Sequence, residues 1–373
     1  MAGPGALMPV EQAFSSSYAE ARRRFTDAAE AAGLLVESKR YPEKGREGED
    51  LAMDIARDGN PNASTLLVLS SACHGVEGFC GSGVQVTALN DAAWREYAHR
   101  RGVAVLYVHG LNPYGFSHLR RTTHENVDLN RNFHDFDRPL PANPQYAQLH
   151  PLLFPDRWPP DAANEQALGA WVARHGPAAY QAAVSSGQHD HPEGMYFGGR
   201  EATWSNRTLR EALRVHGRRA GRIAWIDFHT GLGPSGLGER IFAGPDHAGE
   251  LARARRWWDG GGRTPVTSIY DGSSTSAKLT GMMWSCLLEE CPQAQYTGIA
   301  LEYGTQPLPK VLHALRADHW LAQHPEAPPE LAAQIKREMR EAFYTETPEW
   351  KQSIVEQARE AMVQAVDGLV AKD

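Results

Sequence analysis

Ser71-Ala72-Cys73-His74-Gly75-Val76-Glu77-Gly78 places a histidine and a carboxylate three residues apart where an apolar run stops. The run itself, Ser64-Thr65-Leu66-Leu67-Val68-Leu69-Ser70, is short and rich in leucine and β-branched residues. Polar Asn62 bounds it on one side and glycines on the other, so it reads as a buried strand. Imidazole nitrogen and carboxylate oxygen are both good zinc donors, and an open α/β sheet collects ligands at the carboxyl ends of its strands. A bare HxxE is a short motif that more often marks a solvated loop than a site. Its meaning therefore rests on what the flanking chain supplies.

On the N-terminal side, Phe14, Tyr18, Ala21, Phe25, Ala28 and Ala32 recur at helical steps from about Val10, and Gly33 ends the pattern. Leu51 to Arg57 alternates as a half-buried strand, joined to the run before His74 by an Asn-Pro-Asn turn. On the C-terminal side, Ser82 to Arg100 reads as a helix and Gly102 to His109 as the next buried strand. Strand, helix, strand in this order is a βαβ unit, which predicts a largely parallel sheet with helices on its faces. Ile223 to His229 is a further strand ending in histidine, and Gly298 to Tyr303 a later one carrying Glu302.

Between these, about residues 137–162, prolines cluster among Leu153, Phe154 and Trp158. A linker would be less aromatic, so this is read as a packed excursion, a candidate lid rather than a second core. A helix is expected from Asn164 to Ala173. After Thr347-Pro348, Trp350, Ile354, Ala358, Met362, Val366 and Leu369 trace one face of a long helix to about residue 370. Core packing is the preferred role for that face over a dimer contact.

Composition narrows the function classes. The 373 residues are 42% apolar and 22% charged, an ordinary globule long enough for a large core. A formal charge of −7 with both signs interspersed speaks against a nucleic-acid footprint or a polybasic membrane anchor. No apolar run approaches the roughly 20 residues a spanning helix needs, and Met1 to Val10 lacks the features of a secretory signal. The simplest address is cytoplasmic. Four cysteines, Cys73, Cys80, Cys286 and Cys291, are too few for a disulfide framework and read as free buried thiols.

Three features then converge. His74 and Glu77 end one strand and His229 another, and two histidines with one carboxylate make a three-donor zinc site with an open fourth position. Between them run Asn112-Pro113-Tyr114-Gly115, then Arg120-Arg121, then Val127-Asp128-Leu129-Asn130-Arg131-Asn132-Phe133. With the late strand-borne Glu302, this ordered set resembles the zinc carboxypeptidase superfamily, including its aspartoacylase and succinylglutamate desuccinylase relatives, over about residues 50–310. The segments 187–199 and 230–238 look more like a functionally undefined bacterial branch than like the digestive enzymes.

The resemblance implies one zinc ion per chain on His74, Glu77 and His229, with Glu302 as general base and then acid. It implies that Asn130 and Arg131 grip the substrate's free carboxylate and that Asp128 orients His74. It also implies that one of Arg120 and Arg121, preferably Arg121, faces the oxyanion. The family's loop tyrosine has candidates in Tyr270 and Tyr296. Chemistry supports these assignments: arginine binds carboxylates bidentately, ligand histidines need their second nitrogen held, and a donor aimed at an oxyanion is commonly worth about 3 kcal/mol. His189 and His191 read first as part of a turn lining the pocket and second as donors for another metal. Gly231 to Gly238 lacks the lysine and hydroxyl of a phosphate loop and reads as a pocket wall.

The expectation is a single α/β domain over 1–373, with a mixed, mainly parallel twisted sheet and helices on both faces. Its function would be zinc-dependent hydrolysis of an amide bond in a small substrate or short peptide with a free carboxylate. That makes it an N-acyl amino acid deacylase or a carboxypeptidase-type metallopeptidase; the alternative is a catalytically silent binding module using the same pocket. Oligomeric state is left open.

Overall fold

Period-two alternation along the central strands sorts the core onto the two faces of one sheet. The computed structural model describes residues 8–260 and 264–371, so the extreme ends of the 1–373 span lie outside the described residues. Its strands are β1 (Val36–Lys44), β2 (Asp50–Asp58), β3 (Thr65–Ser71), β4 (Val103–His109), β5 (Arg222–Ser235), β6 (Gly238–Phe242), β7 (Val266–Thr267) and β8 (Gln295–Gly304). They form one eight-stranded sheet in the order β1-β2-β4-β3-β5-β8-β6-β7. Strand β3 runs parallel to β4 and β5, and β5 parallel to β8, while β1, β2 and β6 bring the antiparallel pairings.

Leu67, Leu69, Val105, Tyr107, Ala224 and Ile226 point to one face. There they meet the helices Tyr18–Ala31, Gly78–Asn90 and Pro348–Val370. Leu66, Val68, Leu106, Ile223 and Trp225 point to the other and meet the helices Trp204–Gly217 and Ser285–Glu290. Each strand therefore needs apolar residues on both sides, which is why these stretches read as continuous runs. Trp350, Ile354, Ala358, Met362, Val366 and Leu369 are all buried in the first face, so the last helix is core. Thr347 caps it by accepting from the Trp350 amide. All four cysteines are free and buried.

Several boundaries differ from the sequence expectation, each for a local reason. The stretch 10–32 is a 3₁₀ turn, Val10–Ala13, followed by the helix Tyr18–Ala31, because the Ser17 side chain caps the latter by accepting from the Glu20 amide. The helix expected over 82–100 is two, Gly78–Asn90 and Ala92–Arg100, split where Asp91 caps the second. Strand β2 is buried along nearly its whole length, because β1 and β4 flank it and helices cover it. Strand β5 does not end at His229 but continues to Ser235. The proline-rich stretch contains a helix, Pro144–Leu153, with its first proline at the helix start, where no amide donor is needed. Tyr146, Leu149 and Leu153 pack it against Val311, Leu315 and Phe343 of later helices.

One buried group carries a stability prediction. His109, at the end of β4, is fully buried, stacks on Phe25 at 4.5 Å and pairs through Nε2 with Ser82 Oγ at 2.9 Å. Burial lowers its pKa from 6.5 to about 4. The unfolded chain therefore binds a proton between those two values that the folded chain refuses. Stability is full above about pH 6.5 and falls as pH drops toward 4, by on the order of 3 kcal/mol from this group. A melting-temperature series across that window should show the loss, and His109→Gln should flatten it. An equal slope in the variant would assign the acid sensitivity elsewhere.

Candidate active site

The HxxE stretch is shaped by a backbone bend and a close approach. Just beyond β3, Ala72 takes a left-handed conformation (φ 62°), which turns the chain abruptly so that His74 faces the sheet's carboxyl edge. Gly75 then passes so near the Asn-Pro-Tyr-Gly turn that a Cβ there would lie 2.1 Å from the Gly115 carbonyl carbon. The Gly75 and Val76 amides donate to the carbonyls of Arg121 and Arg120, and Asn112 Nδ2 donates to the Arg121 carbonyl. The separate motifs thus form one clamp, with the arginine pair's backbone holding the histidine–glutamate loop.

That clamp and β5 bring three side chains together. His74 Nδ1 lies 2.9 Å from Glu77 Oε1, His229 Nδ1 lies 3.1 Å from Glu77 Oε2, and the two Nδ1 atoms are 3.3 Å apart. Donor atoms at zinc bond lengths of about 2.0–2.1 Å in a tetrahedron stand roughly 3.3 Å from one another, so the trio fits a single ion. Each imidazole also has a carboxylate behind it. His74 Nε2 is 3.3 Å from Asp128 Oδ1, and His229 Nε2 is 2.5 Å from Asp227 Oδ2. The Asp227 pairing fixes the His229 tautomer that turns the opposite nitrogen's lone pair inward. His74 Nε2 also meets Arg121 Nη2 at 2.7 Å, a donor, and takes the same tautomer only when it exchanges that contact for Asp128. Burial raises the Glu77 pKa, but the two histidines outweigh it and hold the carboxyl well below its usual range. Burial likewise opposes ionised Asp128, yet Arg121, Arg131 and His74 prevail.

The family described as "Protein of unknown function (DUF2817)" matches residues 14–357. The chain belongs to the DUF2817 family. No curated protein matches the sequence. Among solved structures, bovine thrombin-activatable fibrinolysis inhibitor in complex with tick carboxypeptidase inhibitor aligns with a TM-score of 0.53 at 11% identity, over 97% of this chain and 98% of that one. A second structure of thrombin-activatable fibrinolysis inhibitor aligns with 0.53 at 12% identity, over 97% and 75%. A metallo-carboxypeptidase from Pseudomonas aeruginosa aligns with 0.41 at 14% identity, over 91% and 69%. The DUF2817 chain therefore has the zinc carboxypeptidase-like α/β fold expected from its motifs.

In this DUF2817 fold the parallel register of β5 and β8 sets Glu302 beside His229. Glu302 Oε1 accepts from the Leu232 amide at 3.0 Å. Burial and then the Glu77 carboxylate raise its pKa to about 8. A cation among His74, Glu77 and His229 would act against both influences. Around these groups opens a cavity of about 950 Å3, counting the space open at its mouth. Polar Arg121, Asn130, Arg131 and Tyr196 line it together with apolar Leu232, Ile241, Phe242, Ile269, Leu279, Met282 and Trp284. Of the run read as pocket wall, Gly231 to Gly238, Gly231 and Leu232 line the cavity and residues 233–238 do not.

Arg120, Tyr270 and Tyr296, candidates for a direct part in the chemistry, fall outside the cavity lining. Arg120 turns away to Asp318 and Asn126, because its neighbour's side chain takes the inward direction. Tyr270 donates to the Gly244 carbonyl and Tyr296 to the Ala243 carbonyl, so both phenols are spent on backbone beyond the wall. The tyrosine that does line the cavity is Tyr196, held at a left-handed φ of 52° with Arg121 and Arg131 over its ring at 5.0 and 5.4 Å. Its signal in the sequence was only its place in the unusual 187–199 segment. Asp227 had a clearer one: in a strand, residues two apart share a face, so Asp-Phe-His at 227–229 already pairs a carboxylate with the histidine. Asp227 also accepts from Ser70 Oγ, which in turn accepts from Trp225 Nε1 at 2.7 Å.

Proposed function

We propose that the chain is a zinc-dependent hydrolase that cleaves an amide bond in a small substrate bearing a free carboxylate next to an apolar group. The observation that carries this reading is the joint placement of the His74, Glu77 and His229 donors, the Glu302 carboxylate and two arginines around one cavity. When bound, the zinc would polarise the scissile carbonyl and acidify a water. Glu302, fixed by the Leu232 amide, takes the proton and returns it to the leaving amine.

Arg121 supplies fixed positive charge at that point. Its Nη2 lies 2.7 Å from His74 Nε2, its Nη1 3.2 Å from Glu77 Oε1 and its Nε 2.8 Å from Asp128 Oδ2. When His74 Nε2 turns its proton to Asp128, Nη2 loses that partner and becomes available to a developing oxyanion. Arg131 spends its guanidinium on neutral carbonyls, those of Ser185 and Asn130, with Asp128 no nearer than 3.9 Å. It therefore keeps charge for an incoming carboxylate. Asn130 Oδ1 accepts from the Met283 amide, which leaves Nδ2 as the donor the cavity can use. Glu77 and Glu302 are the acidic residues in the lining, and much of the remaining wall is apolar, so a neutral, apolar acyl group or side chain is the favoured occupant.

The experiment is a panel of N-acyl amino acids beside dipeptides and longer peptides, with and without chelator. Chelator-sensitive release from apolar members supports the reading; a zinc-loaded chain that hydrolyses none of them favours a receptor using the same pocket. Arg131→Ala should raise KM for carboxylate substrates by about 10- to 100-fold, the worth of a charge-assisted hydrogen bond, with a smaller change in kcat. Amidated substrates should show no such penalty. An unchanged KM for the acids would place their carboxylate elsewhere.

A further inference from the structure

A second group of metal donors lies outside the cavity and takes no part in the reading above. His150 sits in the last turns of the helix Pro144–Leu153, and His191 and Glu193 sit on the turn that precedes Tyr196. His150 Nε2 is 2.9 Å from Glu193 Oε1, and His191 Nδ1 is 3.7 Å from the same oxygen. The two imidazoles stack at 4.1 Å, and one donor atom from each of the three residues lies within 4.8 Å of the others. His189 and His191, read first as part of a turn lining the pocket, are not in its lining, and the second reading, as a pair of metal donors, does not form either: His189 Nδ1 is 2.7 Å from the Gly199 carbonyl and its ring abuts His134.

We propose that His150, His191 and Glu193 bind a second transition-metal ion, of the zinc or cobalt class, that pins the proline-rich excursion to the turn leading into Tyr196. Two imidazoles and one carboxylate suit such an ion, whereas magnesium and calcium demand an all-oxygen shell. The turn is already braced for the task. Gln188, itself buried, accepts from the amides of Asp190 and His191 through Oε1 and donates through Nε2 to the His191 carbonyl. Asn126 Nδ2 holds the turn from the other side by donating to the carbonyls of Pro192 and Gly194. The helix is anchored through Asn143, whose amide donates to the carbonyls of Ala183 and Gly187. Side-chain exposures of 18%, 27% and 44% for His150, His191 and Glu193 leave room for solvent to complete the coordination.

The same two imidazoles explain a conflict in the metal-free arrangement of partners. Glu193 can satisfy one histidine as an ion pair, whereas a cation at the edges of both rings, where their nitrogen lone pairs lie, would engage both imidazoles and the carboxylate at once. Occupancy would stiffen the approach to Tyr196 without touching the cavity donors.

Full-length protein loaded with cobalt(II) and then desalted should hold two equivalents, and His150→Ala/His191→Ala one. A count of one in the wild type and none in the double variant would still support this site while removing the cavity trio. Equal counts in wild type and double variant would overturn it and leave an ion pair. Should the double variant fold poorly, Glu193→Gln serves, with affinity at this site falling more than about tenfold. Hydrogen exchange gives an independent readout: zinc should slow it in segments 144–153 and 188–196 of the wild type and not in the variants. Identical exchange in both would also overturn the proposal.

Discussion

Glu302→Gln is expected to lower kcat/KM by about 10²- to 10⁴-fold while leaving the zinc content intact. The amide matches the carboxylate in shape and can still accept from the Leu232 amide, so the β5–β8 pairing and the cavity wall should persist. What it loses is the ability to take a proton. Because Glu302 stands outside the donor trio, metal analysis and turnover should separate cleanly. A variant with undiminished turnover would strip Glu302 of its proposed role; one that lost zinc along with activity would make it a ligand instead.

Removing the cation should have an equally large effect, and reloading it should release protons. Glu77, Asp128, Asp227 and Glu302 are four buried carboxylates facing the two buried guanidiniums of Arg121 and Arg131. The surplus of two negative charges can be balanced by protons or by one divalent ion. The protonation pattern points to the first solution when no ion is bound: Glu302 is pushed up to about 8, and His229, despite burial, is raised well above its ordinary value by Asp227 and Glu77. Zinc titration of the chelated protein in two buffers of different ionisation heat should therefore give different apparent enthalpies. His229→Ala should abolish turnover and leave less than stoichiometric zinc at the cavity. A His229→Ala protein with full zinc occupancy there and normal activity would dismantle the proposed centre.

Much of this arrangement could be read from residues alone, and the reasons are particular. The runs at 64–70, 102–109 and 223–229 are legible because strands buried on both faces must be apolar throughout. His74, Glu77 and His229 stand out because donor residues that interrupt or follow an apolar strand run are costly to bury without a purpose. Arg120 and Arg121 could not be told apart, since adjacent residues in irregular backbone follow no fixed period. Only the clamp on Gly75 decides which one turns inward. The helix at Pro144–Leu153 was masked by prolines, although Asn143-Pro144 is itself a capping residue followed by proline at a helix start. Tyr196 was hidden more deeply. Its place at the cavity depends on a left-handed backbone conformation that no local pattern announces. Trp225 and Ser70, which hold Asp227 behind His229, lie on different strands and meet only through the pairing of β3 with β5.

That pairing of β3 with β5 also sets a schedule for maturation. His74 and His229 are separated by 155 residues, so a ribosome adding about 5–20 residues per second makes the first roughly eight to thirty seconds before the second. A nascent chain exposes one imidazole and one carboxylate long before it can offer the third donor. On the proposed zinc site, acquisition of the ion would be a late event in biogenesis, gated by the arrival of a distant strand, and truncated translation products would be left without a place to keep it.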